Sequence, residues 1–588
     1  MKFYTAMKYI LSPCFLLSLC MLSSYLPFTA QAEESEAATQ SPYVSELPQY
    51  TFPKTLPEQE ESLRTNPLLK SFAESRQQLA ADPYRPLYHF TSPRGKSGDP
   101  NGLSFYKGKW HLFYQFFVQG VFEGDIIWGH TCSDDLVHWR DLPPALYRGP
   151  EENCWSGSVC IDNDRAVAAY YGNHLGAMVA VSDDPLLLNW EKISGTAVIP
   201  LPNQQVEYNV FDSCIWKKDG KYYILSAGCQ RKGSSDYHCK CNFCTFLNRN
   251  QDLDAAGIQH PGFFLFESSD LIHWNYLHQF VENDFASQIW DDGACPYFWP
   301  IGDQSDPATA RHILLHFSHT RGAKYLIGQY DKLKDKFFVS RGDYLNHGAV
   351  GPNGLHAPTA FPDGHGGVVS IFNVNSDDKV ASPGCVMSIP ILFNLAEKDQ
   401  LLMKPVDALE SLRRNHITIS PRTMPANEEI VLENVTGRSM EFNITISPQT
   451  ADAIEIKVLR SANNDEYTRL VLYPNHGTLA HGVGPDPWPG YYTVLDLDSS
   501  HSSLNYSAKR PTEQAQVFIP DSEPIRLRIF VDRSIVEVFA NDRQILVTRV
   551  FPSLEDSTGV SIKAMGGESS LDSFDAWQMA PIFPSTED

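Results

Sequence analysis

The residues in this chain best suited to covalent chemistry are aspartates. Asp99 lies in the run Gly98-Asp99-Pro100-Asn101-Gly102, and Asp291 and Asp292 adjoin each other after Trp290. One carboxylate can attack an acetal carbon or activate water against it, while a second, protonated carboxyl donates to the leaving oxygen. Adjacent carboxyls raise each other's pKa, and a neighbouring indole adds desolvation, so one of Asp291 and Asp292 suits the donating part. Each run also has a plainer reading. Asp-Pro-Asn-Gly is turn chemistry, and Asp-Asp-Gly suits a solvated turn. Two clusters carry metal-ligand types: Cys229, Cys239, Cys241 and Cys244 with His238, and the histidines at 316, 319, 347 and 356. The cysteine spacing fits no standard zinc pattern, so disulfides or free thiols are expected there. Histidines in a β-rich core are mostly hydrogen-bonding groups, so no metal is expected among them either.

Carboxylates this far apart in sequence meet only if the fold gathers them. From about Tyr84 to Asn394 the chain reads as short strands and turns, such as Lys109-Trp110-His111-Leu112-Phe113-Tyr114 and Lys221-Tyr222-Tyr223-Ile224-Leu225. A motif recurs. Ser133-Asp134-Asp135-Leu136-Val137-His138-Trp139 returns as Ser182-Asp183-Asp184-Pro185 running to Trp190, and again as Ser268-Ser269-Asp270-Leu271-Ile272-His273-Trp274. Repeats of about 40–50 residues in an all-β region predict propeller blades, and this stretch has room for about five. A propeller brings the ends of its innermost strands around one central pocket.

Beyond it, Arg526 to Val531, Val536 to Phe539 and Ile545 to Val547 form a meander joined by tight turns, which suits a β-sandwich. The expected organisation is a signal segment over 1–32, an N-terminal extension over 33–84, and a five-bladed propeller over 85–400. A linker over 401–425 and a sandwich over 426–588 follow. The fold class is all-β. One helix is expected in the extension, capped by Asn66, with Pro67 in its first turn and Leu68, Leu69, Phe72 and Leu79 as its apolar stripe. A short helix is expected over Pro405 to Arg414, with Leu409 and Leu412 inward.

Composition narrows the partners. The formal charge of −23 disfavours nucleic acid and anionic membranes and suits a neutral substrate. Lys2 and Lys8, the apolar stretch from Tyr9 to Phe28, and Ala30-Gln31-Ala32 form the three parts of an export signal, which predicts a secreted protein without a membrane anchor. Nothing in the sequence indicates an oligomeric state.

From His89 onward the chain resembles glycoside hydrolase family 32, the invertases, inulinases and levanases. The resemblance rests on the Asp-Pro-Asn-Gly run, Trp128-Gly129-His130 and Trp155-Ser156-Gly157-Ser158. Met387-Ser388-Ile389-Pro390, and Phe530-Val531-Asp532-Arg533-Ser534 with Val536-Glu537-Val538-Phe539, complete it. It implies a five-bladed propeller followed by a sandwich, and a β-fructofuranosidase acting on terminal furanosides by retaining double displacement, without a cofactor. Asp99 would be the nucleophile and Asp212 the transition-state stabiliser. Asn101, Gln115, Trp128, Trp155 and Ser156 would bind the sugar, and His356 would stand near the pocket floor.

Three departures stand out. Lys96-Ser97-Gly98 replaces the family's Trp-Met-Asn, Phe211-Asp212-Ser213 replaces Arg-Asp-Pro, and Ala294 stands where Glu is expected in Glu-Cys-Pro. The family's acid is therefore absent, and Asp292 or Asp291 is expected to take its part. A propeller that binds carbohydrate without cleaving it is the alternative opened by Ala294. A furanosidase for a different sugar is the alternative opened by residues 96–98 and 211–213.

Overall fold

The computed structural model describes residues 42–120, 124–203, 206–231, 258–287, 291–319, 321–345, 354–375, 385–477 and 492–583. The expected signal segment, the cysteine cluster beyond Cys229, and His347 lie outside these residues. Five sheets' worth of antiparallel strands form the blades. The first holds Lys96–Tyr106, Lys109–Phe117, Ile126–Ser133 and Trp139–Leu146 in that order. The second starts at Cys154–Asp162 and the third at Ser213–Lys218, and one parallel pairing, Ser213 with Gly157, joins them along the axis. The fourth starts at Ala294–Ile301 and the fifth at Leu355–Pro362.

Each blade is apolar on both faces because it packs against two neighbours. Phe113, Trp128, Val159 and Tyr170 fill the first seam, and Val167, Ile215 and Phe264 fill the next. Trp216, Phe280, Phe298 and Phe337 fill the seam between blades three and four. The surplus of aromatic residues is thus largely spent between blades.

The recurring motif is the turn between the third and fourth strands of a blade. Asp135 Oδ1 accepts the N–H groups of Val137 and His138, and Asp270 Oδ1 those of Ile272 and His273. Asp184 does the same for Leu186 and Leu188. A fourth copy, too degenerate to notice in the sequence, is Asp331 Oδ1 with the N–H groups of Leu333 and Lys334.

The strand Leu401–Pro405 completes the fifth blade, and Arg413–Ile419 already pairs within the sandwich. The expected linker over 401–425 therefore shrinks to a short turn. Its 3-10 segment Asp407–Leu412 buries Leu409 and Leu412, as their apolar side chains require. Two sheets follow, of seven and six strands, with Ile444, Ile456, Leu472, Leu495, Val538 and Phe574 between them.

The extension contains the expected helix, Pro67–Leu79, with the Asn66 side chain accepting from the N–H groups of Leu68 and Leu69. A second helix, Leu56–Thr65, precedes it, and its Gln59 bonds both Asp184 and the Leu186 N–H of the second blade. Among the described residues no helix is long and apolar enough to cross a membrane.

Candidate active site

The innermost strand of the first blade begins one end of the axial channel, and Asp99 sits there, half-buried. Its carboxylate is held by neutral donors. Ser156 Oγ donates to Oδ2 at 2.7 Å, Gln115 Nε2 donates to the same oxygen at 3.1 Å, and Asn373 Nδ2 donates to Oδ1 at 3.0 Å. Gln115 Nε2 also donates to Ser156 Oγ at 2.6 Å, so blades one, two and five are laced together around this one group. Among the described residues no Lys or Arg contacts it.

Gly98 explains one departure from the family. A Cβ there would lie 2.4 Å from Gln115 Oε1. The space next to the aspartate is occupied by Gln115, leaving no room for another side chain.

Asp212 precedes the innermost strand of the third blade and is buried. Its Oδ2 accepts the Cys295 N–H at 3.0 Å, with the Cys295 thiol 3.3 Å away. The same sulfur lies 3.8 Å from Asp99 Oδ2, so Cys295 stands between the two carboxylates. Burial, then the charge on Asp99, pushes the Asp212 carboxyl up to about 7, partly opposed by the Cys295 hydrogen bonds.

Of the other expected residues, Trp155 is half-buried beside Phe117, with ring centroids 6.4 Å apart. Two others are deeply buried. Trp128 is on the third strand, one step further from the axis than Gln115, and is fully buried between blades; its Nε1 donates to the Trp155 carbonyl at 2.8 Å. That bond ties it to the Trp155 backbone. Asn101 is also buried, its Oδ1 accepting the Gly157 N–H at 3.2 Å, so it ties blade one to blade two. His356 is buried behind Phe317, its Nδ1 3.3 Å from the Gly354 carbonyl.

The adjacent aspartates have different surroundings. Asp291 is fully buried, and its Oδ2 accepts from Lys324 Nζ at 2.6 Å and Tyr344 OH at 2.8 Å. That oxygen is thus engaged by two buried donors. Asp292 points another way, its Oδ2 2.6 Å from Nδ1 of His319. Ala294 is fully buried. Sequence reasoning missed three members of this site. Asn373 and Cys295 gave no signal beyond a polar residue in an apolar strand and a Cys-Pro pair. His319 was read only as one of several histidines.

Among the described residues no cluster could hold a metal, and Cys132, Cys154, Cys160, Cys214, Cys295 and Cys385 are free and buried.

A propeller with oriented carboxylates at its mouth and a sandwich behind it defines a glycosidase, an enzyme that hydrolyses O-glycosyl bonds. The chain belongs to glycosyl hydrolases family 32: the family's N-terminal domain matches residues 89–246 and 253–405, and its C-terminal domain matches 408–578. Among its relatives, fructan 6-exohydrolase of Beta vulgaris is 26% identical over 85% of this chain and 87% of that protein. Levanase of Bacillus subtilis is 25% identical over 86% of this chain and 71% of that protein. The fold is shared with fructan 1-exohydrolase IIa of Cichorium intybus, at a TM-score of 0.70 and 21% identity, covering 85% of this chain and 98% of that one. Exo-inulinase of Aspergillus awamori gives 0.66 and 20%, covering 86% and 99%.

Proposed function

We propose that the protein is an exported β-fructofuranosidase that releases terminal fructose from sucrose or fructan by double displacement. The observation that carries this reading is the pairing of a half-buried, neutrally solvated Asp99 with a buried Asp212 across Cys295. Asp99 attacks the anomeric carbon, with its free lone pairs aimed by Ser156, Gln115 and Asn373. Asp212 faces the oxocarbenium-like transition state and steadies its positive charge. Trp155 offers the ring a stacking face. Relatives named for the hydrolysis of fructan, levan and sucrose 6-phosphate support the substrate class.

The test is fructose release from sucrose, inulin and levan, with Asp99→Asn as control. Undiminished release by that variant contradicts the nucleophile. Retained sugar binding without release from any substrate by the native protein favours a binding role.

A second reading, a furanosidase for an altered or substituted sugar, is favoured by Phe211. Its ring lies 5.1 Å from that of Tyr171, which sets an apolar wall next to Asp212 where family members carry Arg. Comparing arabinofuranosides with fructosides in the same assay separates the two.

A further inference from the structure

The reaction proposed above needs a proton at the leaving oxygen, and among the described residues neither Ala294 nor the adjacent aspartates is placed to give one. Ala294 has no proton to donate, Asp291 is bound up with Lys324 and Tyr344, and Asp292 is only 6% exposed. The outlet of Asp292 is His319. This histidine follows directly on the strand Arg311–Ser318, its ring 4.7 Å from that of Phe317, and 30% of its side chain is open. Its Nδ1 is engaged by Asp292 at 2.6 Å, and among the described residues Nε2 has no hydrogen-bond partner.

Resting on the double-displacement reading, we propose that His319 is the general acid and base of this site, and that Asp292 positions it. The arrangement is a carboxylate–imidazole pair in which the carboxylate fixes the tautomer and leaves the far nitrogen to exchange protons. The charged groups that face the ring are Asp292, Asp99 and Asp212, contributed by three different blades. Burial works against its charge, but these three carboxylates outweigh burial and hold the imidazolium up at about 9.

In the first half-reaction an Asp99 oxygen bonds to the anomeric carbon and the bond to the leaving oxygen breaks. That oxygen keeps the electron pair and takes the Nε2 proton, leaving neutral imidazole and a glycosyl ester. In the second half-reaction water bonds to the anomeric carbon as Nε2 removes its proton. The ester bond breaks, restoring the Asp99 carboxylate and the imidazolium. The coupling helps both halves. Esterification removes the Asp99 charge that stabilised the imidazolium, so the pKa of His319 falls just when it must accept the next proton from a weak acid.

The test compares sucrose with an aryl β-fructofuranoside, whose phenolate departs without protonation. His319→Gln should lower kcat/KM on sucrose on the order of 10²–10⁴-fold. The pre-steady-state burst of phenolate from the aryl substrate should persist, and added azide should speed turnover by replacing water as nucleophile. The alkaline limb of the native pH profile, expected near pH 9, should vanish. In Asp292→Asn that limb should move down toward the ordinary histidine value, a readout that a merely structural role would not move. Binding of fructose to the Gln variant checks its fold. Native-like sucrose cleavage by His319→Gln, or equal loss of the sucrose reaction and the aryl burst, overturns the assignment. Asp99→Asn is the separate control: if it retains the burst, or if the native protein cleaves neither substrate, the underlying displacement reading fails as well.

Discussion

Cys295 directs both its N–H and its thiol at the same oxygen of Asp212. Its backbone is left-handed there, with a φ of 46°. The residue before a proline seldom takes that conformation, so the strain is concentrated at the reacting centre.

Asp212 should set the acidic limb of activity. With its carboxyl pushed up to about 7, it is increasingly protonated below that pH and loses its hold on a cationic transition state. A bell-shaped kcat/KM with limbs near 7 and 9 is the expected profile, measured on sucrose. A flat profile from pH 5 to 7 contradicts it.

The same group should cost stability. A carboxyl raised from 3.8 to about 7 favours folding less and less as pH climbs between those values, and the loss is complete above pH 7. Asp212→Asn should therefore be inactive yet more stable at pH 8, by on the order of 1–4 kcal/mol, with little gain near pH 4. Denaturant titrations at the two pH values decide; a variant less stable at pH 8 refutes the cost.

Asn373 should matter through the charge it touches. A hydrogen bond to an ionised group contributes about 1.5–3 kcal/mol, so Asn373→Leu should lower kcat/KM about 10- to 100-fold. Steady-state kinetics that match the native enzyme would remove Asn373 from the site.

Trp128 should act only through Trp155. Trp128→Phe keeps the apolar packing and deletes one hydrogen bond, worth about 0.5–1.5 kcal/mol. KM should rise a few-fold with kcat nearly unchanged. A large fall in kcat would show a more direct part in the reaction.

His89 should make the interdomain contact sensitive to alkali. Its Nδ1 lies 2.9 Å from Asp532 and its Nε2 3.3 Å from Glu537, all fully buried. Burial opposes the charge, but the two carboxylates hold its pKa up at about 9, against 6.5 unfolded. This stabilisation is complete below about pH 6.5 and is lost as pH rises through 9. His89→Leu should cost on the order of 3–5 kcal/mol at pH 7 by stranding the carboxylates. Melting midpoints at pH 7 and 10 should differ less in the variant than in the native protein.

The architecture was legible because its signals are local. Alternating strands, a turn that recurs around Asp135, Asp184 and Asp270, and the Asn66 cap each depend on a few consecutive residues. Asp99, Gln115 and Ser156 lay inside contiguous motifs and meet in space. What was misread depends on which way a strand residue faces. The strand Lys96–Tyr106 has register breaks between Ser97 and Pro100 and between Asn101 and Ser104, so simple alternation does not place Asn101. Trp128 is conspicuous in sequence, but its distance from the axis is decided by strand order. The links from Asn373 to Asp99 and from His319 to Asp292 cross blades or hairpins and leave no mark on local sequence. The outer strand Leu401–Pro405 is short and looked like part of a connector.

The ends of the ring are joined by something other than the ring. Among the described residues each blade comes from one continuous stretch of chain, and no strand from one chain end completes a blade at the other. Instead, Asp532 of the sandwich accepts the N–H groups of Leu87, Tyr88 and His89 just ahead of the first blade, and Ile582 donates to the Leu87 carbonyl. The sandwich thus serves as a clasp. A protease cut within Asp407–Leu412 would sever the covalent tie while this clasp still held the two fragments together.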